Sequence, residues 1–237
     1  MLKTFRIGGV HPPENKLTAG KAIQTLELPK QVSIMLSQHI GAPAQCVVNK
    51  GDHVKVGTLL AQANGFVSAN IHSPVSGTVA KIENVTDSNG YTKAAVIIDV
   101  EGDEWEESID RSEKLVKGCP LTAKEIVDII GEKGIVGLGG ATFPSKVKLC
   151  PPPGNKAEIL IINAVECEPY LTNDHALMLA KPEQIVEGVA ILMKAINVSK
   201  AVIGIENNKP DAIATLSRVA SGYLGIEVQP LKVRYPQ

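Results

Sequence analysis

The apolar positions of the first half of the chain fall in short runs with no helical stripe. Residues 44–48, 58–63, 77–85 and 94–100 are rich in Val, Ile, Thr and Ala. Polar and turn-forming residues separate them at Asn49-Lys50-Gly51-Asp52, Ser73-Pro74 and Ser88-Asn89-Gly90. Short strands at regular spacing with such turns predict a β-sandwich or barrel. Residues 101–118 are charged and irregular and read as a linker or interdomain crossing, with Trp105 the only tryptophan.

The period changes in the second half. Thr122-Ala123-Lys124-Glu125 has the form of a capping box and opens a helix with Ile126, Val127, Ile129 and Ile130 on its apolar side. Gly131 and Gly134 end it. Residues 158–163 form a continuous apolar run suited to a buried parallel strand. Pro182 stands at the first turn of a helix whose stripe is Ile185, Val189, Leu192, Met193 and Ile196. Residues 200–205 predict a strand, 210–221 a helix and 226–233 a third strand. The alternation is a βαβαβ unit, hence a parallel sheet in an α/β layer.

Composition narrows the function. Hydrophobic residues are 44% and charged residues 21%, as in a folded protein. The net charge of -1 argues against a general nucleic-acid binder, which usually carries a basic excess. No apolar run is long enough to span a membrane, and the N-terminus lacks the apolar core of a signal peptide, so the chain reads as cytoplasmic. Cys46, Cys119, Cys150 and Cys167 show no Cys-x-x-Cys spacing. They predict neither a zinc site nor an iron–sulfur cluster within these residues, and read as small buried hydrophobes.

Three stretches carry candidate chemistry. Residues 49–60 followed by Ile71-His72-Ser73-Pro74-Val75-Ser76-Gly77 resemble the biotinyl/lipoyl-carrier β-fold. In a carrier, a lysine at the hairpin tip takes the cofactor. Here the tip falls in Asn64-Gly65-Phe66-Val67, and Phe66 cannot form the amide. The module is therefore read as structural or interfacial. His53 and His72 read as exposed turn or strand residues with no companion ligands. The second stretch is Gly137-Leu138-Gly139-Gly140-Ala141-Thr142-Phe143-Pro144-Ser145-Lys146. A helix precedes it, and Thr142 occupies the third-glycine position, so it is not a dinucleotide fingerprint. It is either a tight packing loop or one whose backbone N–H groups approach a phosphate or flat ring, with charge from Lys146 and Lys148. The third is Asn163-Ala164-Val165-Glu166-Cys167-Glu168-Pro169, running on through Asp174 and His175. Ligands of open α/β sheets bind at the carboxyl ends of strands. Asn163, Glu166, Glu168 and Asp174 stand in that place, as ligand acceptors or as a solvated acidic loop.

Taken together, Gly-x-Gly-Gly-Ala-x-Phe-Pro and, about twenty residues later, Ile-Asn-Ala-x-Glu-x-Glu-Pro resemble the FMN- and NADH-binding subunit of respiratory complex I. With Gly8-Gly9-Val10-His11-Pro12-Pro13-Glu14-Asn15-Lys16 and the carrier-like module, the chain resembles the RnfC (RsxC) family of the ion-translocating electron transport complex. The resemblance implies a barrel-sandwich hybrid domain at 30–105 after an N-terminal segment at 1–29, a linker at 106–120, and a Rossmann-like FMN-binding α/β domain at 121–237. It implies a peripheral subunit on the cytoplasmic side of the bacterial inner membrane. Such a subunit passes electrons between NADH and ferredoxin through FMN and iron–sulfur clusters, coupled to Na+ or H+ movement, with the other Rnf subunits as partners. By motif, Gly137, Gly139, Gly140 and Ala141 would line the flavin phosphate and ring, with Phe143 near nicotinamide or flavin and Lys146 near the phosphate. Asn163 would contact the flavin, and Glu166 and Glu168 the flavin or NADH. No protein acid or base is required, because the hydride chemistry belongs to the cofactors. The family pattern continues past a Tyr-Pro-Gln like 235–237 with a Gly-Gly-Glu loop, a further domain and two 4Fe–4S cluster motifs. The chain is accordingly expected to be an N-terminal fragment, inactive alone. A cobalamin reductase-like flavoprotein of propanediol utilisation and a non-catalytic assembly module are the alternative expectations.

Overall fold

The computed structural model describes residues 9–138, 140–166 and 168–235. They form two compact units. One takes Leu26–Glu113 with Lys124–Pro151. The other takes the described residues up to Thr25, Lys114–Ala123, and those from Pro152 onward.

In the first unit the short apolar runs pair as antiparallel strands. These are β1 (Gln31–Met35), β2 (Gln45–Cys46), β3 (His53–Val54), β4 (Leu59–Gln62), β5 (Ile71–His72), β6 (Gly77–Thr86) and β7 (Thr92–Val100). One sheet has the order β1-β7-β6-β3 and the other β2-β4-β5. Val54, Leu60, Ile71, Val79, Val96 and Ile98 close a common core between them. Burial of this apolar area, at roughly 25 cal/mol per Å2, supplies the main drive for the two-sheet fold. The β6–β7 hairpin turns on Asp87, whose carboxylate accepts from the backbone N–H of Asn89 and Tyr91 and pairs with Lys93. The sequence runs missed β1, β3 and β5, which are short or carry a polar residue at every second or third place.

The irregular stretch after β7 pairs back onto its own unit at Val56. Val56 bridges Trp105, Glu106 N–H donates to Val56 O at 3.0 Å, and the Trp105 indole donates to Asp103. His53 also has a companion, since its Nε2 lies 3.3 Å from Glu104 Oε1. The same unit holds helix α1 (Ala123–Glu132), buried on Ile126, Val127 and Ile130, with Ile129 turned outward, and a one-turn helix α2 (Ser145–Lys148).

The second unit is the α/β layer. It runs β8 (Leu160–Asn163), α3 (Asn173–Ala180), α4 (Pro182–Ala195), β9 (Ala201–Glu206), α5 (Pro210–Ala220) and β10 (Ile226–Leu231). The strands are parallel in the order β10-β9-β8, with Ile162 beside Ile203 and Ile203 beside Val228. Both crossovers step the same way across the sheet, and right-handed connections then place their helices on one face. A single core confirms it. Val186, Val189 and Met193 of α4 and Ala212, Leu216 and Ala220 of α5 share a cluster with Ala201, Ile203 and Ile205. The face of α4 turned to the core is thus Val186–Val189–Met193, rotated from the expected stripe, while Ile185, Leu192 and Ile196 are half-buried. β8 is not the buried strand its apolar run predicted. It pairs only with β9 among the described strands, and Ile161 is 70% exposed. Nor are the cysteines uniformly buried: Cys150 is exposed, and Cys46 and Cys119 are half-buried.

Among the described residues no helix is long and apolar enough to cross a membrane, and no cluster of His, Cys, Asp and Glu could hold a metal ion.

Candidate functional site

The glycine-rich stretch and the acidic stretch fall in different compact units. Each has its own local geometry.

The glycine-rich loop starts where α1 stops. Gly134 takes φ +66, the left-handed turn that ends the helix. Ser145 N–H then donates to Ile135 O at 2.9 Å, and Gly137 N–H to Phe143 O at 2.9 Å, closing the neck of a loop over 137–143. Ile40 N–H, from the same unit, donates to Ala141 O at 3.2 Å and holds the far side. Phe143 is half-buried, and Ala141 and Gly140 are exposed. Thr142 stands at φ +49, a region that glycine enters freely and a β-branched residue enters only under strain. Gly139 lies outside the described residues.

Two observations give this loop chemical meaning. A β-carbon at Gly140 would meet no atom within 4 Å, so the backbone there is open to a ligand. A β-carbon at Gly137 would fall 2.4 Å from Lys148 Nζ, so an ammonium lies directly against the loop. That ammonium belongs to Lys148. Lys146 Nζ sits 3.3 Å from Asp128 Oδ1, with its stem across Gly131. Hydrogen bonds from Lys124 and Lys146 hold the Asp128 carboxyl below its usual range.

The acidic stretch begins at the carboxyl end of β8. Ala164 N–H donates to Gly204 O of β9, and Asn163 Oδ1 accepts from Val165 N–H at 3.1 Å, so the chain turns sharply off the sheet. Glu166 follows at φ +56 and is only 7% exposed. Its Oε1 accepts from Asp174 N–H, in the first turn of α3, at 2.6 Å. A carboxylate is favourable there, against the positive end of the helix. Its Oε2 is buried and has no hydrogen-bond partner among the described residues. A buried carboxylate oxygen left unpaired is costly, and such an atom marks the place where a donor belongs. Glu168 is exposed. Cys167 lies outside the described residues.

Beneath this loop is a group that the motif reading missed. Lys209 is almost wholly buried and donates to Val165 O at 2.9 Å, to Asn208 Oδ1 at 3.0 Å and to Glu206 Oε2 at 3.2 Å. It follows the carboxyl end of β9, in Glu206-Asn207-Asn208-Lys209. The strand-end rule that singled out Asn163 and Glu166 applies equally there, and would have found it. Lys16, from the N-terminal segment, is the other missed residue. Its Nζ donates to Glu168 O at 2.9 Å and to Leu171 O at 2.7 Å.

The local chemistry is thus an open glycine backbone beside an ammonium in one unit. In the other it is a buried acceptor at a strand end, held from below by a second ammonium. The first suits an anion such as a phosphate, and the second suits hydroxyl or N–H donors.

Comparison with known proteins matches a family model to each half of the chain. Residues 3–103 match the RnfC barrel sandwich hybrid domain, and residues 130–237 match the Nuo51 FMN-binding domain. The chain is similar to a subunit of the proton-translocating ferredoxin:NAD(+) oxidoreductase complex of Clostridium ljungdahlii, 47% identical across 100% of this chain and 51% of that protein. It is similar to a subunit of the Na(+)-translocating complex of Acetobacterium woodii, 41% identical across 99% of this chain and 52% of that protein. Among solved structures, an NAD+-reducing NiFe hydrogenase matches 48% of this chain and 22% of its own at 26% identity, with a TM-score of 0.42. The chain spans about half the length of the curated relatives it matches.

Proposed function

We propose, from the premise that the chain belongs to the RnfC family and joins an RnfC barrel sandwich hybrid domain to a Nuo51 FMN-binding domain, that it is the nucleotide-handling part of an ion-translocating ferredoxin:NAD oxidoreductase. Features of each unit, taken separately, suit parts of an FMN. The open backbone at Gly140 and the Lys148 ammonium at Gly137 suit its phosphate. The unpaired Glu166 oxygen suits a polyol hydroxyl or a ring N–H. Bound FMN would supply the chemistry that takes a hydride from NADH and releases its electrons singly.

The chain's own residues bind and orient. Gly137, Gly140 and Ala141 give a backbone without bulk along the phosphate and ring. Phe143, half-buried at the loop neck, offers an apolar surface to a ring system. Lys148 counters phosphate charge, with Lys146 held back by Asp128. Asn163 shapes the turn that presents Glu166, and Glu168, exposed beyond it, is placed to meet NADH. No group here needs to donate or abstract a proton. Electrons would leave through 4Fe–4S clusters elsewhere in the full-length protein, towards ferredoxin, with the other Rnf subunits holding the protein at the membrane.

The observation that carries this reading is Glu166, a buried carboxylate with one oxygen paired to α3 and the other left for a ligand. The test is flavin and NADH binding by the full-length protein. FMN fluorescence should quench on titration, and NADH should bleach the bound flavin. Glu168→Ala should weaken NADH binding by about tenfold, as loss of a hydrogen bond to a charged group does, while FMN stays bound. A full-length protein that takes up neither FMN nor NADH would overturn the reading.

A further inference from the structure

The N-terminal stretch Val10-His11-Pro12-Pro13-Glu14-Asn15-Lys16 has no part in the function just described, yet the structure lays it directly on the acidic loop. Val10 and Tyr235 exchange two backbone hydrogen bonds, at 2.9 and 2.8 Å, and anchor the start of the segment after β10. Pro12 and Pro13 fix their own φ and hold the residue before each in extended backbone, which stiffens the run. His11 ties it sideways, with Nε2 at 3.3 Å from Glu14 Oε1 and Nδ1 at 3.3 Å from Arg234 Nη1. Asn15 N–H then donates to Pro169 O at 3.3 Å, and the hydroxyls of Thr18 and Thr172 are hydrogen-bonded. Between these contacts Lys16 donates to the carbonyls of Glu168 and Leu171.

We infer that residues 10–18 are a strap that fixes the acidic loop, and that Lys16 is a positioning residue for the nucleotide site. The inference rests on the reading of Glu166 and Glu168 as nucleotide ligands. Between β8 and α3, Glu168 O accepts from Leu171 N–H at 3.2 Å and Val165 O from Lys209, local bonds outside any ladder or helix. The Lys16 ammonium, bonded to the carbonyls of Glu168 and Leu171, supplies charge-assisted hydrogen bonds, the stronger kind. One of the two carbonyls belongs to Glu168 itself, so the strap sets the backbone from which that carboxylate projects. The side chain of Lys16 touches no ligand in this role. It acts through the loop.

The test compares Lys16→Met, which keeps the stem and removes the donors, with Lys16→Arg, which keeps a charged donor. Both are made in the full-length protein. Amide hydrogen exchange over 168–172, measured without nucleotide, should speed up by about tenfold in Lys16→Met, with the amides of β9 unchanged. In the flavin-loaded protein the NADH KM should rise by about tenfold with kcat for flavin reduction within twofold. Lys16→Arg should restore most of both. Unchanged exchange in the loop would overturn the strap. So would a loosened loop with an unaltered KM, or a failure of arginine to rescue either. If the wild-type protein takes up neither nucleotide, the electron-transfer reading fails instead, and the exchange measurement alone decides the strap.

Discussion

Lys209→Met should lower the stability of the α/β unit by about 3–5 kcal/mol, the range for removing one partner of a buried ion pair. The Lys209 and Glu206 side chains are 2% and 1% exposed, with Nζ and Oε2 3.2 Å apart. Solvent cannot replace the lost ammonium, so Glu206 would keep its buried charge without the Lys209 cation, and Val165 O would lose a donor. The double variant Glu206→Leu/Lys209→Met removes both charges and should recover a large part of the loss, since an apolar pair of similar volume is often neutral. Urea unfolding followed by circular dichroism measures both. A single variant within about 1 kcal/mol of wild type would show that the pair is a spectator. The consequence for the site is direct, because Val165 is the residue before Glu166. Flavin affinity should therefore fall in the single variant even at temperatures where the unit stays folded.

Gly134→Ala should lose about 2–4 kcal/mol and disturb the glycine-rich loop as well. Two effects add. The backbone at φ +66 is strained for any residue with a β-carbon. The new β-carbon would also come 2.1 Å from the carbonyl oxygen of Asn70, a backbone atom that no rotamer can move aside. Asn70 is itself fixed, its Oδ1 accepting from Ala63 N–H and its Nδ2 donating to Glu132 O, both at 2.9 Å. Gly51→Ala is the control. It sits at φ +92 with nothing within 4 Å, so it isolates the conformational cost, about 1 kcal/mol. If the two variants lose equal stability, the collision with Asn70 has no weight. Because Gly134 leads into the loop at 135–145, Gly134→Ala should also weaken FMN binding, whereas Gly51→Ala should not.

The legible features were those encoded locally. Pro182 opened α4 where the sequence placed it, because proline fits a first helical turn and little else nearby. The helix at 123 was foreshadowed by Thr122-Ala123-Lys124-Glu125. The alternation of strand and helix after 158 implied the parallel sheet. Phe66 at the carrier-like tip is 77% exposed, in an irregular turn between β4 and β5. The errors were of another kind. The apolar run of β8 could not reveal that, among the described strands, it has a neighbour on only one side. The expected stripe of α4 missed Val186, because a helix packed on both a sheet and two other helices buries a face that no single period specifies.

The sequence by itself determined the β-then-βαβαβ order, the glycine-rich and acidic loops, and the missing attachment lysine, since each rests on neighbours within a few positions. The tertiary structure alone decided which lysine faces Gly137, that one oxygen of Glu166 has no partner among the described residues, and that Lys16 and Lys209 bond to carbonyls of the acidic loop. Those outcomes depend on partners far apart in sequence, with Lys16 reaching Glu168 and Lys209 reaching Val165. Hydrogen bonds of that kind follow from where the backbone returns in space, and local periodicity carries no record of it.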